Sequence, residues 1–505
     1  MRMKVALKGL VLAVAAVTLT ACSGGVVPEP TKSPEAVPAE YQPYYSQTLE
    51  WTECHDGMQC ATAIAPLDWN KPTGETIELA LVRHPATSSK KLGSLFVNPG
   101  GPGASGVSFI ADSLDYAVSG AVQKNYDVIG FDPRGVGAST PVVCVDSAAQ
   151  MDEFLFGTLD AVRESPEWFA QRGAASKEFA DGCAQRTGEL LAHVDTVSAA
   201  HDLDMLRATV GDRELNYLGY SYGTLLGAIY AENFPGNVGR MVLDGALDPS
   251  SSSFDVNLTQ AIGFENALRA YLKDCLEGSE CPFSGSVDSA MTQIGDLLAG
   301  LDQSPITASE GRMLSSDAML TAIIAPLYNK DAWSYLSDVF TAVFDGDADP
   351  AFGAVDWYYN RSEDGTYSDN STESFLAINC LDYPVNSDPA QWASYAKVLA
   401  DKAPVIGPYL SYGDQLCSEW PYKAVMTPQK VSAQGAGDIL VIGTTGDPAT
   451  PYRWAKALAA QLEGGHLISY TGQGHTAYNK SNACVNDAVD GFLLRGKVPA
   501  QDPKC

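Results

Sequence analysis

The sequence predicts an α/β protein: a mostly parallel, eight-stranded sheet flanked by helices, with a helical cap inserted between the sixth and seventh strands. Three observations lead there. Short apolar runs at 94–97, 126–131 and 438–443 end on Gly, Pro or Asp, as strands covered on both faces do. Helical spacing separates most of the later runs, which is the alternation of a parallel sheet. Finally, Gly219-Tyr220-Ser221-Tyr222-Gly223 sets one serine between two glycines where a strand hands over to a helix.

In chain order the strands are expected at 59–65, 76–83, 93–97, 126–131, 214–219, 239–244, 438–443 and 466–470. After the serine, residues 224–234 have helical spacing and stop at Pro235-Gly236. The alternation breaks between about 250 and 405, where helix formers and aromatics dominate, as at 264–272, 332–344 and 392–400. That stretch is the cap, 251–405. An insertion there would sit over the carboxyl edge of the sheet, where ligands bind in open α/β folds. It divides the core into a first part, 48–250, and a C-terminal part, 406–505. A smaller insertion at 140–200 carries Cys144 and Cys183.

The chain opens with Arg2, Lys4 and Lys8, followed by an apolar run from residue 9 to about 19. A run this short reads as a signal peptide, 1–21, rather than a membrane span. Leu19-Thr20-Ala21-Cys22 resembles a bacterial lipobox, which implies cleavage before Cys22 and a membrane anchor on its sulfur. Residues 22–47 then read as a proline-rich tether, with five prolines in 23–47.

A net charge of −29 excludes nucleic acid as a partner, since phosphate binding needs clustered Lys and Arg. Of eleven cysteines, ten remain after Cys22, and an even number in an exported chain suggests five disulfides. There is no C-x-x-C with a nearby histidine pair, so no metal is expected.

A serine on such a turn is a nucleophile when it has a base, an orienting acid and an oxyanion hole. In the order serine, acid, histidine, two of the six histidines follow a usable acid, His466 and His475. His466 opens the last strand, whereas His475 lies just beyond it in a glycine-rich loop able to reach the serine. Asp447 follows the seventh strand at the same edge, while Asp438 precedes that strand and Asp487 lies in the last helix. Asn98-Pro99-Gly100-Gly101-Pro102-Gly103 follows the third strand, and its backbone can approach the serine unobstructed. The Gly101 and Tyr222 N–H groups would form the oxyanion hole. That loop lacks the Lys-Ser/Thr of a phosphate loop and the spaced dinucleotide fingerprint, so no cofactor is expected.

Taken together, Gly100-Gly101-Pro102-Gly103, Asp132-Pro133-Arg134-Gly135-Val136-Gly137-Ala138-Ser139, the Ser221 elbow, Gly446-Asp447-Pro448 and Gly474-His475 resemble the exported actinobacterial tripeptidyl aminopeptidases. These are relatives of the proline iminopeptidases within the α/β-hydrolases, and the resemblance covers about 50–505. It implies a serine peptidase releasing short peptides from free N-termini. Pro99 stands where the proline iminopeptidases carry a histidine, and the insertions are longer, so proline specificity is not implied. An aminopeptidase needs a carboxylate for the substrate ammonium, and Glu265 and Asp382 are the candidates. Disulfides are expected between sequence neighbours: Cys54–Cys60 and Cys275–Cys281 from their short spacing, with Cys144–Cys183, Cys380–Cys417 and Cys484–Cys505 resting on the resemblance. Two other readings share these parts: a carboxylic esterase or lipase, and a non-catalytic lipoprotein that binds peptides.

Overall fold

A computed structural model describes residues 36–505. The signal-like segment and Cys22 lie outside the described residues. Nine strands form the main sheet: β1 (Thr52–Glu53), β2 (Gln59–Pro66), β3 (Thr76–His84), β4 (Ser94–Asn98), β5 (Asp127–Phe131), β6 (Leu215–Tyr220), β7 (Val238–Asp244), β8 (Ile439–Gly446) and β9 (Gly465–Gln473). Their spatial order is β1-β2-β3-β5-β4-β6-β7-β8-β9. From β5 to β9 all neighbours are parallel. β1, β2 and β3 add an antiparallel flank. The strand beyond the eight expected is β1, two residues held against β2 by the Cys54–Cys60 bridge.

Side chains alternate across the pleat, and each central strand feeds two cores. Leu95, Val97, Val128, Leu440 and Ile442 face a layer that includes Ile110, Val122 and Phe492 from helices Gly106–Ala117, Gly120–Asn125 and Ala483–Arg495. Phe96, Ile129, Ile439 and Val441 face the other layer, built on helices Thr196–Thr209, Tyr222–Asn233 and Tyr452–Gln461. Cover on both faces explains why β4 and β5 are buried along their whole length.

The inserted helices do not form one body. Ser253–Glu277, Val287–Gln303, Ser316–Leu327, Trp333–Phe344 and Asp349–Tyr358 close around a core of their own. Helix Ser371–Asp382 instead sends Ala377, Ile378 and Leu381 into the sheet's core. The amino end also differs from expectation. Tyr41, Tyr44 and Tyr45 pack around Trp69 at ring separations of 5.8–6.4 Å, and the Tyr45 hydroxyl donates to Asp204. The folded body therefore starts within the segment read as tether, because this aromatic trio buries apolar surface that a tether would leave in water.

Four further disulfides join Cys144–Cys183, Cys275–Cys281, Cys380–Cys417 and Cys484–Cys505. Among the described residues, no helix is long and apolar enough to cross a membrane.

Candidate active site

Ser221 sits between β6 and helix Tyr222–Asn233 with φ 55° and ψ −124°, a backbone state that a non-glycine residue holds only when its surroundings enforce it. They do so here. The Ser221 N–H donates to the Asp244 carbonyl at 2.9 Å, and the Thr224 N–H and hydroxyl both donate to the Ser221 carbonyl, at 2.8 and 2.6 Å. A Cβ on Gly219 would lie 2.3 Å from the Gly223 carbonyl oxygen, so the turn closes only around glycine.

Asp447 directly follows β8 and is 3% exposed. Its carboxylate accepts the N–H groups of Ala449, Thr450 and Thr476 at 3.0, 2.9 and 3.2 Å, and the Thr450 hydroxyl at 3.0 Å. His475 Nδ1 lies 3.0 and 2.9 Å from its two oxygens. This shell replaces the water that burial removes and fixes the carboxylate plane. With Nδ1 assigned as the donor to Asp447, Nε2 is the basic nitrogen.

Beyond β9, the His475 N–H donates to the Tyr328 carbonyl at 2.7 Å, and the two rings meet edge-on at 5.4 Å. A Cβ on Gly245 would lie 3.2 Å from His475 Cε1, and Asp244, the residue before it, holds the Ser221 N–H. Serine and imidazole thus flank one turn. No hydrogen bond joins Ser221 Oγ to His475 among the described residues; in empty sites such bonds commonly form only with substrate. His466 is elsewhere: its Nε2 pairs with Asp438 at 2.8 Å, at the opposite edge of the sheet.

The glycine-rich loop after β4 presses on the serine turn. A Cβ on Gly100 (φ 99°) would lie 2.5 Å from the Tyr220 carbonyl oxygen, 2.9 Å from Ser221 Cβ and 3.0 Å from the Tyr222 nitrogen. Asn98, fully buried, aims the loop by accepting the Gly100 N–H at 3.0 Å. The Gly101 and Tyr222 N–H groups have no acceptor among the described residues.

A family model described as TAP-like protein matches residues 403–505. The serine protease Hip1 of Mycobacterium tuberculosis is 36% identical, over 92% of this chain and 92% of its own. Carboxylesterase B of the same organism is also 36% identical, over 94% of this chain and 93% of its own. The tripeptidyl aminopeptidase of Streptomyces lividans is 31% identical, over 90% of this chain and 86% of its own. The chain belongs to the tripeptidyl aminopeptidase family of α/β-hydrolases.

The charged residues of the family-like stretch at 132–139 are fully buried and partnered. Asp132 accepts the Ser105 hydroxyl at 2.7 Å and the Val107 and Ala138 N–H groups at 3.0 and 2.8 Å. Burial still pushes its pKa upward against those bonds. Arg134, fully buried, forks onto Asp202 with two contacts of 2.6 Å.

The two acids expected to meet a substrate ammonium are placed otherwise. Asp382, 1% exposed, accepts the Thr196 N–H at 2.8 Å and the Thr196 hydroxyl at 2.5 Å. Glu265, 4% exposed, accepts the Val405 and Ile406 N–H groups at 3.1 and 3.0 Å through Oε2, while Oε1 is buried without a partner. Both serve backbone in the protein interior rather than an open cleft, and that assignment is corrected. Three contributors escaped the sequence. Thr450 bridges Asp447 and His475 Nδ1, the latter at 3.2 Å; Tyr328 seats the histidine; Thr196 holds the Tyr222 hydroxyl. Only Thr450 left a trace, as a hydroxyl three residues after a turn-forming Asp-Pro.

Proposed function

We propose that this chain is a serine exopeptidase that releases short peptides, tripeptides foremost, from free N-termini. The observation that carries the reading is the Asp447–His475 pair, 2.9 Å apart, beside the strained Ser221 turn. Two relatives, named serine protease and tripeptidyl aminopeptidase, support it.

In this reading Ser221 Oγ attacks the scissile carbonyl carbon as its proton passes to His475 Nε2. The carbonyl oxygen becomes an oxyanion facing the Gly101 and Tyr222 N–H groups, donors already oriented before charge develops. His475 returns the proton to the leaving nitrogen, the C–N bond breaks, and the acyl group stays on Ser221. Water then attacks the ester, its proton passing to His475 and on to Ser221 Oγ. Asp447 keeps the proton on Nδ1 and stabilises the imidazolium.

Carboxylesterase B, as similar in sequence as Hip1, favours a second reading as a carboxylic esterase with the same machinery. One experiment separates them. A fluorophosphonate probe should label the wild type and not Ser221→Ala. Peptides with free N-termini should be cleaved far faster than acetylated copies. Labelling without any preference for the free amine moves the assignment to the esterase, and no labelling of the wild type removes both.

The reading includes export, with a lipid on Cys22 as the membrane anchor. Five disulfides support an oxidising compartment. Loss of incorporated palmitate in Cys22→Ala tests the anchor.

A further inference from the structure

Helix Ser371–Asp382 is linked at both of its ends to the segments that carry the proposed oxyanion donors. Its first turn lies on the glycine loop: a Cβ on Gly103 would stand 2.6 Å from the Ser371 carbonyl oxygen and 2.9 Å from the Phe375 nitrogen. Just before it, Asn370 accepts the Gly137 N–H at 2.8 Å and donates to the Gly135 and Val142 carbonyls, at 2.9 Å each. At the other end, the Asp382 carboxylate takes both the N–H and the hydroxyl of Thr196, and Thr196 Oγ1 shares a hydrogen bond with the Tyr222 hydroxyl. Tyr222 is thereby fixed twice, at its backbone by the elbow and at its ring tip by Thr196. Its ring is buried, so the ring orientation and the direction of its N–H cannot be changed independently.

We propose that Asp382, acting through Thr196, is a positioning residue that sets the direction of the Tyr222 N–H toward the reacting carbonyl. Helix Ser371–Asp382 then aligns both oxyanion donors as one rigid part. The proposal rests on the serine-hydrolase reading given above. The direction of the chain follows from its members. At pH 8, where the assays are run, ionised Asp382 only accepts, Thr196 has one hydroxyl proton and spends it on Asp382, and the Tyr222 hydroxyl must therefore donate to Thr196. An amide at 382 would donate to Thr196 instead and reverse the chain, leaving the Tyr222 hydroxyl proton without its acceptor.

The test uses the full protein, a tripeptidyl anilide and a fluorophosphonate probe. Tyr222→Phe removes one oxygen and leaves the N–H. It should lower kcat about tenfold, less than the roughly 10²–10³ of a deleted donor, with KM within about twofold. Thr196→Val and Asp382→Asn should match it, Thr196→Ser should restore the wild-type rate, and the Tyr222→Phe/Asp382→Asn pair should be no worse than Tyr222→Phe alone. Probe titration counts competent sites, so a misfolded fraction does not count as lost kcat. Wild-type kcat in correctly folded Tyr222→Phe, or losses that multiply in the double variant, would overturn the proposal. If the wild type cleaves no peptide yet its serine is labelled, the peptidase reading fails, and the proposal is judged on labelling rate, which should fall by the same factor in the same variants.

Discussion

Gly100 leaves no room for a side chain against Ser221: a Cβ on Gly100 would lie 2.9 Å from Ser221 Cβ. The serine turn and the loop opposite it therefore share one steric boundary. Gly100→Ala should lower kcat at least about 100-fold, because the loop must retreat from the Tyr222 nitrogen to make room. Stability should fall by about 1–3 kcal/mol from strain at φ 99°. Steady-state kinetics with thermal unfolding check both; unchanged kcat would mean that the loop takes no part.

His475→Ala and Asp447→Asn should each cut kcat by about 10³-fold or more while leaving KM nearly unchanged, since base and orienter act in the transition state. The double variant should be scarcely slower than the worse single one. Losses that multiply would mean that the two do not work as a unit. Wild-type activity in His475→Ala would also remove the assignment of the base.

Thr450→Val deletes the hydroxyl that donates to Asp447 at 3.0 Å and stands 3.2 Å from His475 Nδ1. About a three- to tenfold fall in kcat is expected, with about 1 kcal/mol of stability. Thr450→Ser should recover both, and failure to recover would assign the loss to packing of the methyl group.

Asp382 gives a stability signature. Burial, only partly offset by the Thr196 hydrogen bonds, raises its pKa from 3.8 to about 7, and Asp195 adds to the rise. Tyr222 and Tyr383 also face it. A raised carboxyl binds more protons folded than unfolded between about pH 4 and 7, so its contribution to stability falls as pH rises through that window. Asp382→Asn has no such proton. In denaturant unfolding, the stability of Asp382→Asn minus that of the wild type should grow from pH 5 to pH 8, by up to roughly 2.5 kcal/mol. A flat difference would mean that the carboxyl stays ionised throughout.

The sheet was legible because its strands are short apolar runs closed by turn residues, a local property. Ser221, Asp447 and His475 were legible because each lies within two residues of a strand's end at one edge, so topology brings them together without knowledge of packing. Asp382 and Glu265 show the opposite case. Their spacing is compatible with an exposed acid, and only tertiary contacts with Thr196 and with Val405 and Ile406 close them off. Helix Ser371–Asp382 was assigned to the cap for the same reason, since its pattern does not say which core receives Ile378 and Leu381. Tyr41, Tyr44 and Tyr45 were missed because they end a segment, 23–47, whose five prolines and low apolar content set its overall character.

The split loyalty of the inserted helices limits how this scaffold can be re-engineered. Exchanging 251–405 wholesale for a relative's lid would also remove the helix whose Cys380 is bonded to Cys417 and whose flanks lie on Gly103 and Thr196. Nor does the lid end before Asn370, because Leu399, Ala403, Val405 and Ile406 return to its core and Glu265 accepts the last two N–H groups. A graft that respects both cores is therefore discontinuous: it replaces the segments on either side of 370–382 and leaves that helix in place.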